Sequence, residues 1–111
     1  MSRPDRKALV AAYKERKTVA GVFAVICNAT GQVWVGTSRH IDTHQNGLWF
    51  SLKHSSGRNR ELQSAWSEHG EPEFRFEQLD RLPDDISDMA RDTELKSRSA
   101  LWTRRLGAVR L

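Results

Sequence analysis

Between Ser38 and Arg60 the sequence groups several residue types able to hold a phosphate. Arg39, Lys53, Arg58 and Arg60 are cations, His40, His44 and His54 are imidazoles, and Ser38 and Asn59 are short hydrogen-bonding side chains. Basic residues that bracket short polar ones suit a polyanion, because each neutralised phosphate releases counterions while hydroxyls and amides fix the register. The same residues also make an ordinary solvated basic face, and Ser38 and Asn59 also serve as turn or helix caps. His40 and His44 are four residues apart, which places two imidazoles on one helical face as metal ligands, but no third ligand accompanies them. Cys27 has no disulfide partner and no histidine–asparagine motif to activate it, so it reads as a small core residue. His69, just before Gly70, suits a helix C-terminus. No glycine-rich phosphate loop of the Walker or dinucleotide type is present.

Charge comes in blocks. Among 111 residues, 18 are Lys or Arg and 14 are Asp or Glu, a net charge of +4, with a pI near 9.7. Residues 68–94 carry ten acidic and three basic side chains, whereas residues 95–111 carry five basic and no acidic ones. That last block, Lys96, Arg98, Arg104, Arg105 and Arg110, extends a phosphate track, forms a protein contact, or decorates a helix end. The length predicts one domain, residues 1–111. With 38% hydrophobic residues and four tryptophans the chain is not a disordered tail. Its longest uncharged apolar stretch, Val19 to Cys27, is nine residues, against about 20 for a bilayer span, so no membrane partner is expected. The single cysteine, and an N-terminus that turns charged at once, predict a cytoplasmic location.

These residues need elements to position them. Leu9, Val10 and Tyr13 predict a short amphipathic helix over residues 5–17, capped by Asp5. Val19 to Cys27 and Gln32 to Gly36 predict a hairpin turning at Gly31. Asp42 is the expected N-cap of a helix reaching about Lys53, with Leu48, Trp49 and Leu52 inward. A second helix runs from about Asn59 to His69 on the stripe Leu62, Ala65 and Trp66, stopped by Gly70. Phe74, Phe76 and Leu79 mark a third strand ending near Leu82, and Ile86 to Leu106 a last helix closed by Gly107. The sum is an α/β (α+β) fold: a small, three-stranded, mainly antiparallel sheet flanked by helices.

Gly21-Val22-Phe23 and Trp34-Val35-Gly36, followed by Thr37-Ser38-Arg39, resemble the two paired tripeptides of the GIY-YIG nuclease superfamily. Asn59, Leu62, Gln63, Ala65 and Trp66, then His69-Gly70, Phe74, Phe76, Trp102 and Leu106 continue the likeness in order over about residues 19–107. The resemblance implies phosphodiester hydrolysis with a divalent metal, Mg²⁺ or Mn²⁺, one tyrosine from each tripeptide, an arginine on the following helix and a glutamate on the last. Carried over position by position, these four are Phe23, Trp34, His44 and Ser99. Phe23 has no hydroxyl, and the Trp34 indole only donates. His44 has an intrinsic pKa near 6.5 and Ser99 offers no carboxylate. Phe23 and Trp34 then either fill an apolar layer or stack on unpaired bases.

The expectation is a nucleic-acid-binding domain of this superfamily, DNA favoured over RNA, with an impaired phosphodiesterase site. Ser38, Arg39, His40, Lys53, His54, Arg58, Asn59 and Arg60 would be its contacts. Two alternatives stand beside it. One is an active divergent metal-dependent endonuclease, with water activated by the metal or by His40 or His44 and Glu94 as a metal ligand. The other is a protein-interaction module, including a homodimer.

Overall fold

The structure is a computed structural model that describes residues 19–83 and 85–111; the helix expected over residues 5–17 lies outside them. Strand β1 (Gly21–Cys27) pairs antiparallel with β2 (Val33–Ser38), Phe23 opposite Gly36 and Val25 opposite Trp34. Gly31 turns the hairpin at φ 76°, a left-handed conformation that glycine adopts without steric cost. Strand β3 (Phe74–Arg81) pairs antiparallel with the other edge of β1, with a register shift between Val22 and Phe23.

Both faces of the sheet are covered, which explains why β1 is a continuous apolar run and not an alternating one. On one face Phe23, Val25, Cys27 and Trp34 pack with Ile41 and Leu52 of helix α1 (Ile41–Lys53) and with Leu62, Ala65 and Trp66 of helix α2 (Arg60–His69). On the other, Ala20, Val22, Val35 and Leu82 pack with Leu95 of helix α3 (Asp88–Leu106). Cys27 is fully buried, as a core residue should be.

Helix α2 ends as its sequence reads. The Asn59 side chain accepts from the Leu62 N–H at 2.9 Å and Gly70 closes the last turn. Helix α3 starts two residues later than expected, because Ser87 accepts from the Ala90 N–H. Two expectations need correction. Asp42 does not cap α1: the cap position is His40, and the Asp42 carboxylate turns instead to Arg81 and Gln78 on β3. The Arg81 guanidinium holds that carboxyl below its ordinary range. The sheet also has four strands, in the order β3-β1-β2-β4, and not three. β4 (Val109–Arg110) runs parallel to β2, a strand of two exposed residues too short to show a period. It covers the outer edge of β2, and the Leu111 N–H donates to the Val35 carbonyl at 2.8 Å. No helix among the described residues is long and apolar enough to cross a membrane.

Candidate nucleic-acid interface

Phe23 projects from β1 into the layer between the sheet and α1. Its ring stacks on Phe76 at 4.9 Å between centroids and meets His44 at 4.5 Å. The glycine opposite it is sterically required: a Cβ on Gly36 would lie 2.5 Å from the Phe23 ring. Gly36→Ala should therefore cost about 1–3 kcal/mol by overpacking, read as a lowered urea midpoint, and Phe23→Leu in the same chain should recover part of the loss.

His44 is half-buried against these rings. Burial first, and the neighbouring His40 second, push its pKa below the ordinary 6.5. It is thus a neutral imidazole at pH 7, one nitrogen donating and one accepting, and no replacement for a permanent cation. The depressed pKa fixes the sign of its linkage. Above about pH 6.5 the group is neutral in both states; as pH falls below that value, the unfolded chain binds the proton first and stability drops. Urea unfolding between pH 7.5 and 5 should show this loss in the parent and a smaller one in His44→Gln.

Phe23, His40 and His44 line a cavity of about 670 Å³ whose rim carries Arg58 and Asn59. His40 and His44 sit on one face of α1, their ring centroids 6.1 Å apart. Gln63 fixes the rim, its Nε2 donating to the Leu52 carbonyl at 3.0 Å and its Oε1 accepting from the Gly57 N–H at 3.0 Å. Since Asn59 spends its carbonyl on the α2 cap, its amide N–H groups remain to donate outward. Thr37, Thr43, Ser51 and Ser56 add hydroxyls to the lining, and among the described residues no Asp or Glu side chain joins them. Sequence reasoning missed these hydroxyls. A signal was present for Thr43 and Ser51, which follow His40 and Gly47 at helical spacing along α1, and none for Thr37 on β2 or Ser56 beyond the helix.

The other expected site residues are placed elsewhere. Trp34 is 0% exposed, stacked on Phe74 beneath α2, and lines neither cavity. Ser99 is buried on α3, its hydroxyl donating to the Lys96 carbonyl at 3.0 Å; with Ser38 and Arg39 it lines a second cavity of about 370 Å³. Ser38 is buried, and its hydroxyl accepts from the His40 N–H at 3.0 Å. Lys53 pairs with Glu71 at 3.0 Å, His54 packs on exposed Phe50, and Arg60 is exposed beside the first cavity without lining it.

Glu94 is also committed. It pairs with Arg98 at 3.0 Å, and Arg98 reaches Asp80 on β3 at 2.7 Å, so these groups clamp α3 to the sheet. Among the described residues no cluster of three or more His, Cys, Asp or Glu is suited to hold a metal ion. Mg²⁺ and Mn²⁺ take oxygen ligands, carboxylates above all. Among the described residues no Asp or Glu side chain lines the first cavity, and Asp92, the one acidic side chain lining the second, faces Arg39 and Arg91. The residues present do not fit such an ion.

No protein-family model matches the chain, and no curated protein matches it significantly. Solved structures do. The catalytic domain of the intron endonuclease I-TevI, in a point-mutant form, superposes with a TM-score of 0.68 at 17% identity, over 81% of this chain and 86% of that one. A second structure, of the catalytic domain of the homing endonuclease I-TevI, gives 0.67 at 17% identity, over 83% and 97%. The fold is GIY-YIG-like. Within a GIY-YIG-like frame the two tripeptides fall on the paired strands β1 and β2, and their aromatic residues have different surroundings. Phe23 borders the cavity, whereas Trp34 belongs to the core.

Proposed function

We propose that this domain binds nucleic acid in the cytoplasm, DNA in preference to RNA, and does not cut it by the metal-dependent route of GIY-YIG nucleases. The observation that carries this reading is a first cavity that no Asp or Glu side chain lines among the described residues. Around it stand the cation Arg58, the donors of Asn59 and four hydroxyl side chains, with the Phe23–His44 pair beneath. Hydroxyl, amide and guanidinium groups are the usual contacts to a nucleic-acid backbone. Arg58 has no ion-pair partner among the described residues, so no internal contact must break before it reaches a phosphate. The nuclease-like fold supplies the frame, and the neutral His44 and buried Trp34 support binding over hydrolysis.

Fluorescence anisotropy with labelled single- and double-stranded DNA and RNA, in chelator and across salt, tests the binding. Saturable association that weakens linearly in log salt, with DNA tightest, is the expected result. Absence of salt-sensitive association would overturn the reading.

A further inference from the structure

The second cavity has the reverse of the charge a metal site needs. Arg39, Lys96 and Arg110 line it together with Thr37, and Asp92 is the single acidic side chain among the described lining residues. Its floor is Ser99, buried and neutral, at the position where the resemblance expects a metal-binding glutamate. Arg110 reaches the cavity only because β4 pairs with β2, which fixes its register opposite Val35. Lys96 and Arg110 have no ion-pair partner among the described residues, and the Thr37 hydroxyl makes no hydrogen bond there. Asp92 holds Arg39 loosely, at 3.7 Å, and both side chains are more than half exposed.

We infer that this second cavity is a phosphate pocket, in which Arg39, Lys96 and Arg110 supply the positive charge that a metal ion would otherwise bring. Guanidinium and ammonium side chains lining one cavity, with a hydroxyl beside them, suit a phosphate oxyanion. Asp92 opposes the ligand and keeps Arg39 in place when none is bound. Thr37 lines both cavities, so a strand crossing it places a phosphate in the second while the adjacent nucleotide lies over Phe23 and His44. Only that last step, the source of the phosphate, rests on the nucleic-acid reading.

The test is a titration of the isotope-labelled protein with inorganic phosphate at constant ionic strength, followed by amide shifts. Unphosphorylated and 5′-phosphorylated DNA dodecamers form two further arms. Saturable shifts centred on Thr37, Arg39 and Ser99 are expected. Lys96→Glu with Arg110→Glu should weaken phosphate by about tenfold or more, Asp92→Asn should tighten it about two- to fivefold, and Arg104→Glu, which lines neither cavity, should leave it unchanged. Phosphate shifts scattered over the surface, or indifference to Asp92→Asn in a folded protein, would overturn the pocket. If the dodecamers still bound in a salt-sensitive way, the nucleic-acid reading would survive that failure. If phosphate bound as described and neither dodecamer did, the pocket would stand and the nucleic-acid reading would fall. Equal competition by phosphate against both dodecamers identifies the internal diester as the ligand; preference for the 5′-phosphorylated strand identifies a terminal phosphate.

Discussion

Trp34→Ala is expected to lower the unfolding free energy by about 3–5 kcal/mol and to leave nucleic-acid affinity per folded molecule unchanged. The indole is fully buried between β2 and α2, packed with Phe74, Val25, Leu62 and Trp66, so truncation opens a large apolar cavity in the core that holds both helices. Trp34→Phe is the informative companion. The indole Nε1 has no hydrogen-bond acceptor among the described residues, and an orphaned buried donor costs about 1–3 kcal/mol. Removing it offsets part of the lost volume, and the net change should stay within about 1.5 kcal/mol. Urea denaturation reads both values. A Trp34→Ala chain that stays as stable as the parent but loses binding would mean that the indole faces the ligand and not the core.

Reversing Arg58 and Arg60 together to Glu should weaken DNA binding by about 10–100-fold near physiological salt and reduce the log–log salt slope by about 2, roughly one unit per lost phosphate contact. Both side chains are exposed, one on the rim of the first cavity and the other beside it on α2, and neither has an ion-pair partner among the described residues. Stability should change little, since surface charges away from buried networks contribute within about 0.5 kcal/mol. Reversing Arg104 with Arg105, at the far end of α3, should move affinity much less. A salt slope equal to that of the parent would place the backbone on another face.

Local chemistry made much of this fold legible before any coordinates. The apolar run of β1, the Asn59 cap with Gly70, and Gly107 in its left-handed conformation each follow from a few adjacent residues. The errors arose where a distant partner decides. Asp42 reads as a cap, but the helix opens two residues earlier, at the His40 cap, and Arg81, 39 residues away, takes the Asp42 carboxylate. β4 exists because β2 offers an unpaired edge, a fact absent from two residues of sequence.

The site divides the same way. Phe23 and His44 were expected together and lie together. Trp34, on the same sheet face as Phe23, is buried one same-face register pair away against Phe74; Ser99 lies on α3, which covers the opposite face, and Glu94 was captured by Arg98 one helical turn on. Thr43 and Ser51 of α1 were readable from their helical spacing to His40, whereas the placing of Arg110 at the cavity that Lys96 lines required the pairing of β4.

The most direct measurement incubates end-labelled DNA and RNA with the protein, with Mg²⁺, with Mn²⁺ and with chelator, scoring complex and strand length in the same samples across salt. A salt-sensitive complex that forms fully in chelator and is no tighter with Mg²⁺ or Mn²⁺, with every strand intact, is the expected result. Metal-dependent cutting that His44→Ala abolishes would contradict it and make the domain a divergent endonuclease.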